Sequence, residues 1–125
     1  MDQLSKIRQV SMNARDLPRA VAFYRDRLGM RHLFDAGPTM SFFDCAGVRL
    51  MLAVADKPEF DHPGSILYFA VDDIRATHEA LAARGVAFRE APNLVARLPD
   101  REVWMAFLSD SEGNTLAITS EVPAG

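Results

Sequence analysis

The sequence predicts an α+β fold of two tandem βαβββ modules, forming a curved mixed sheet with helices on its outer face and a central cavity. Three observations carry this. An Asp-aliphatic pair opens a helical stretch twice, as Asp16-Leu17 and Asp73-Ile74, 57 residues apart. An Asp-x-x-Gly turn occurs twice, as Asp44-Cys45-Ala46-Gly47 and Asp110-Ser111-Glu112-Gly113, 66 residues apart. A stretch bearing two prolines and a glycine, 57–64, separates the copies. The expected organisation is a single domain over 1–125, with module one at about 5–56, a linker at 57–64 and module two at about 65–121.

Each element has a local reason. Ile7 to Met12 alternates, with Val10 and Met12 on one face of a strand and Gln9 and Ser11 on the other. Asp16 can accept bonds from the first free amides of a helix, and Pro18 suits its first turn. Leu17, Ala20, Val21, Tyr24 and Leu28 form its apolar stripe, and Gly29 ends it. Arg31 to Phe34, Met40 to Phe43 and Val48 to Val54 read as strands. The second copy begins with a strand at Ile66 to Val71. A helix follows, capped by Asp72 or Asp73, with Ile74, Thr77 and Leu81 inward and Gly85 as its stop. Val86 to Arg89, Trp104 to Ser109 and Thr115 to Thr119 are its strands. Asn93 to Glu102 is the least regular segment and is expected to be a mobile loop.

Composition narrows the function classes. The chain has 125 residues, a net charge of −3 and 49% hydrophobic residues, enough for a core without staples. The single cysteine, Cys45, excludes an internal disulfide framework and any Cys-cluster metal site. Most of the basic residues are arginines, scattered rather than clustered, so nucleic acid is not an expected partner. No stretch has the length of a membrane-spanning helix, and Met1 to Lys6 lacks the apolar core of a signal peptide. A cytoplasmic protein without a membrane partner is the expectation.

At this point the motifs resemble a known family. Arg15-Asp16-Leu17-Pro18-Arg19-Ala20-Val21-Ala22-Phe23-Tyr24 followed by Leu28-Gly29-Met30 resembles the first module of the vicinal oxygen chelate superfamily. Val71-Asp72-Asp73-Ile74 and Asp110-Ser111-Glu112-Gly113-Asn114 resemble its second. This is the group of glyoxalase I, the bleomycin-resistance proteins and the extradiol dioxygenases, and the likeness spans nearly the whole chain. In metal-using members, four ligands come from four strands, two per module, and are typically His, Gln or Glu. Carried over from the helix cap and the turn, those positions fall on Gln9, Met51, Ile66 and Ala117. The repeat relates them independently: Gln9 to Ile66 is 57 residues and Met51 to Ala117 is 66.

Those residue types do not suit a hard or borderline divalent metal. Ile66 and Ala117 have no donor, and the Met51 thioether suits copper(I). Only the neutral amide of Gln9 remains, so no metal or other cofactor is expected. Alternation turns Val48, Leu50, Leu52, Leu67, Phe69, Val71, Leu116 and Ile118 toward the helices. It leaves Gln9, Ser11, Arg49, Met51, Ile66, Tyr68, Thr115, Ala117 and Thr119 to line an apolar pocket with a few polar groups. Phe42 and Trp104 are candidate aromatic walls, and Trp104 joins the candidate ligand-binding set. Arg49 suits a carboxylate, on a ligand or on Glu102 at the rim, while Gln9 and Tyr68 suit a carbonyl or hydroxyl. His32, His62 and His78 fall outside the expected cavity positions, and no catalytic residue is assigned.

The leading reading is a binding protein for a small, partly apolar molecule, a drug or metabolite, without a metal. The alternative is a divalent-metal-dependent lyase, isomerase or dioxygenase with displaced ligands, such as His62 or Glu102 beside Gln9. A structural or regulatory subunit with a filled core is the third. The resemblance also implies a homodimer.

Overall fold

The structure, a computed structural model, describes residues 3–124; Met1, Asp2 and Gly125 lie outside it, including the first two residues of the N-terminal segment read above. The chain divides into two compact units between Gly64 and Ser65. Each unit has its own mixed sheet and its own helix, so the protein is α+β with two βαβββ modules. No helix among the described residues is long and apolar enough to cross a membrane.

The first unit holds β1 (Gln9–Asn13), α1 (Leu17–Ala22), β2 (Arg31–Ala36), β3 (Met40–Cys45) and β4 (Val48–Ala53). Its strand order is β1-β4-β3-β2, with β1 parallel to β4 and the other pairs antiparallel. Asp16 caps α1 by accepting from the Arg19 amide at 3.1 Å, and Pro18 stands in the first turn. The helix does not run on as a regular α-helix. Phe23–Arg27 is a π-turn, in which the Leu28 amide reaches back to the Phe23 carbonyl at 3.0 Å. Phe23 and Tyr24 are buried here, while Val21 on the preceding α-helical turn is only half-buried. Tyr24, fully buried, meets Phe23 edge-on at 5.7 Å and Phe43 at 6.1 Å. Met12, Leu50 and Leu52 complete this core.

The β3–β4 connection needs only Ala46 and Gly47, both at positive φ (50° and 94°), the signature of a two-residue hairpin turn. Asp44 steadies it by accepting from the Gly47 amide at 3.2 Å.

The second unit holds β5 (Leu67–Ala70), α2 (Ile74–Ala83), β6 (Ala87–Phe88), β7 (Asn93–Arg97), β8 (Arg101–Ser109) and β9 (Thr115–Pro123). Asp73, not Asp72, caps α2, accepting from the Ala76 amide at 3.1 Å. Ile74 and Leu81 pack inward with Ala106, Leu108, Leu116 and Ile118. The sheet repeats the first in plan: β5 is parallel to β9, β9 is antiparallel to β8, and β8 carries β6 and β7 along one edge.

The segment expected as a mobile loop, 93–102, is instead mostly strand. Residues 93–97 alternate exposed and half-buried, and pair with the early part of β8, itself three residues longer than expected. The Leu98 amide closes the turn on the Arg101 carbonyl at 2.8 Å. Since β6 and β7 share one edge of β8, they are two pieces of a single interrupted strand, which keeps the module at three strands after its helix.

The repeat is exact in register. Ser11 faces Met51 in the β1–β4 pair, and the residues 57 and 66 positions later, Tyr68 and Ala117, face each other in the β5–β9 pair.

Candidate functional site

In the first unit, the sheet face turned away from α1 carries Gln9, Ser11 and Asn13 from β1 and Arg49, Met51 and Ala53 from β4. Register adds Met40, Phe42 and Asp44 from β3. The expected Gln9, Ser11, Arg49 and Met51 thus share one face, as alternation demands. The Gln9 side-chain amide lies 3.7 Å from the Met51 sulfur. Arg49 makes no ion pair with a carboxylate among the described residues. Its guanidinium lies 5.7 Å from the Phe42 ring, and its Nε is buried without a partner. Phe42 in turn stacks on Phe34 at 4.7 Å, so Phe42 is an aromatic wall of this face.

A cavity of about 430 Å³ opens on this face. Ser11 and Met51 line it, with Asn13, Met40, Ala53, Val54, Phe60 and His62 among their neighbours. Gln9 and Arg49 are one row along the strands and stand outside its wall. His62, expected to lie apart from any cavity, lines this one. It does so because the segment after β4 folds back over the sheet face, which no strand pattern announces. A short 3₁₀ turn, Pro58–Phe60, starts that return. The His62 Nδ1 donates to the Pro63 carbonyl at 2.9 Å.

In the second unit, Tyr68, Thr115, Ala117 and Thr119 lie on one sheet face, joined by Met105 and Phe107 from β8. Ile66 precedes β5 and is exposed. Ala117 is fully buried, because its register partners Tyr68 and Phe107 bring their rings edge-to-face at 5.9 Å on either side of it. Phe107 is the β8 partner of that position, on the same face as Ala117. Thr115 accepts from the Arg89 guanidinium at 2.7 Å, and Thr119 donates to the Trp104 carbonyl at 3.0 Å. Both hydroxyls are therefore engaged within the unit.

Trp104 does not share that face. It alternates with Met105 and sides with buried Ala106 and Leu108 against α2, where Arg75 lies 5.3 Å over its ring. Its indole N–H points to Glu102 at 3.4 Å, and Glu102 also lies 3.9 Å from Arg97. Sequence left the facing of Trp104 open; the parity of β8 decides it. The other histidines are used internally. His32 Nε2 meets Asp35 at 2.8 Å and Ser41 at 3.0 Å. The His78 ring packs on Phe88 at 4.2 Å.

The sequence pattern of the Glyoxalase/Bleomycin resistance protein/Dioxygenase superfamily matches residues 6–118. The chain belongs to this superfamily. Solved structures of the same fold include a lactoylglutathione lyase from Agrobacterium tumefaciens, 21% identical, with a TM-score of 0.69 over 94% of this chain and 95% of that one. A glyoxalase/bleomycin resistance protein/dioxygenase from Alicyclobacillus acidocaldarius is 21% identical, with a TM-score of 0.73 over 96% and 94%. A superfamily member from Sphaerobacter thermophilus is 22% identical, with a TM-score of 0.73 over 94% and 98%. No curated protein matches the sequence significantly. At these identities the likeness fixes the fold of this superfamily member and leaves its chemistry to the residues.

Those residues do not fit the family's metal. Of the four carried-over positions, Gln9 offers an amide already turned to a thioether, and Ile66 and Ala117 offer nothing. No group of three or more His, Cys, Asp or Glu side chains suited to a metal occurs among the described residues.

Proposed function

We propose that this superfamily member binds a small, partly apolar molecule without a metal. The observation that carries the reading is the cavity on the Ser11–Met51 face. Its walls are apolar at Met40, Met51, Ala53, Val54 and Phe60, and Ser11, Asn13 and His62 supply a few polar groups. Such a lining is what a small-molecule site has. Arg49 stands outside the wall against Phe42, and among the described residues no lysine or arginine lines the cavity.

The match across both units supports one functional domain rather than two, and the family supports a homodimer. A cytoplasmic location goes with the single cysteine.

The test is elemental analysis of protein purified without an affinity tag, before and after dialysis against a chelator. The expected result is no stoichiometric transition metal in either sample. One equivalent of metal, removed by the chelator together with any activity, would overturn the reading in favour of a metal-dependent lyase, isomerase or dioxygenase. A thermal-shift screen then identifies ligands, and Ala53→Trp should abolish their effect by filling the cavity.

A further inference from the structure

The segment that leaves β4 does more than connect. It crosses the open sheet face of the first unit, contributing Phe60, His62 and Gly64 to the cavity wall. Its end runs against β1 so closely that a Cβ on Gly64 would stand 3.4 Å from the Ser11 carbonyl oxygen. Between Phe60 and His62 sits Asp61, and its side chain points to the sheet. The Asn13 amide donates to the Asp61 carboxylate at 2.9 Å, and the Arg15 guanidinium lies 3.7 Å from the same oxygen. Asn13 ends β1, and Arg15 follows it immediately before the Asp16 cap. The segment is also stiff along its own length: the Phe60 and Asp61 amides bond back to Lys57 and Pro58 at 3.0 and 3.1 Å. One clamp at Asp61 therefore sets the positions of two cavity-lining residues at once.

We propose that residues 54–64 form a strap that completes the ligand site, with Asp61 as the positioning residue that holds Phe60 and His62 over the cavity. The proposal rests on the binding reading above and names the ligand class. Among the described residues no lysine or arginine lines the cavity, and Asp56 is its one carboxylate. With that carboxylate in the wall and no lysine or arginine beside it, the lining disfavours an anionic ligand. An apolar body sits between Phe60 and the methionines Met40 and Met51, whose thioethers suit an aromatic ring. A polar group on the ligand suits the Nε2 of His62, whose Nδ1 is already bonded to the Pro63 carbonyl.

The clamp is solvent-exposed, so its release should shift the strap by a factor of roughly five rather than by orders of magnitude. Two readouts on the full chain test it, with N-phenylnaphthylamine, an uncharged fluorescent aromatic amine, as the probe. In Asp61→Ala, backbone hydrogen exchange over 58–64 should speed up about fivefold and the probe's Kd should weaken by a similar factor. Glu59→Ala, on the same segment but outside the clamp and the wall, should move neither. Phe60→Ala should weaken the probe while leaving exchange of the segment as in the wild type. Unchanged exchange in Asp61→Ala would overturn the clamp. Faster exchange with unchanged probe affinity would overturn the strap as part of the ligand site. Failure of the wild-type protein to bind the probe would overturn the proposed ligand class, and the exchange measurement would still judge the clamp.

Discussion

The Gln9 side-chain amide and the Met51 sulfur lie 3.7 Å apart, on the open face of the first-unit sheet. An N–H···S contact is weak, and Gln9 is exposed. Gln9→Ala should therefore change the unfolding free energy by no more than about 0.5 kcal/mol. It should also leave the metal content of the purified protein unchanged. Denaturant melts together with elemental analysis of both proteins check this; loss of a bound metal in the variant would contradict it.

Much of this was legible in the sequence because repeats constrain each other. The caps Asp16 and Asp73 and the turn aspartates Asp44 and Asp110 set two offsets, which related Gln9 to Ile66 and Met51 to Ala117; the sheets keep both offsets, with Ser11 opposite Met51 and Tyr68 opposite Ala117. Strand alternation then sorted Leu50 from Met51 and Leu116 from Thr115 correctly. What alternation cannot read is a return of irregular chain. His62 lines the cavity only because 54–64 folds back, and that path depends on the Asn13–Asp61 bond, a contact between residues 48 positions apart. The 93–97 strand was missed for a related reason: its alternation is short, and its existence depends on β8 extending back to Arg101. The π-turn at Phe23–Arg27 was missed because a 3.6-residue stripe assumes that the helix keeps its pitch.

The two turns of the repeat should differ sharply in their sensitivity. Asp110 is buried, and its Oδ1 accepts from the Glu112 and Asn114 amides at 2.8 Å each, while Oδ2 accepts from the Asn114 side chain at 2.8 Å. Removing that carboxylate strands buried donors. Asp110→Ala should destabilise the protein by about 2–4 kcal/mol. Its counterpart Asp44 has one exposed bond, to the Gly47 amide at 3.2 Å. Asp44→Ala should cost less than about 1 kcal/mol. Urea titrations of both variants measure the contrast, and equal losses would refute it.

Trp104 is the chain's single tryptophan, so its emission reports on one place. Arg75 lies 5.3 Å over its ring. Arg75→Ala should shift the emission maximum and intensity, with a stability loss of about 0.5–1 kcal/mol. An unchanged spectrum would mean that the stacked arrangement is not populated in solution.

Acid should find a weak point at Asp35. Its carboxyl is held below the ordinary value of 3.8 by hydrogen bonding with Ser41 and then with His32 Nε2, 2.8 Å away. A carboxylate whose folded value is depressed stabilises the native state fully above its unfolded value. That contribution is lost as the pH falls through the folded one. The Asp35 contribution should therefore be intact at neutral pH and decline only below about pH 4. Asp35→Asn should flatten this part of the acid limb while leaving stability near pH 7 reduced by a modest, salt-sensitive amount, because the site is exposed. Chemical denaturation of wild type and Asp35→Asn from pH 7 down to pH 3 measures both effects. Parallel stability curves across that range would show that the Asp35 carboxylate is not favoured by folding.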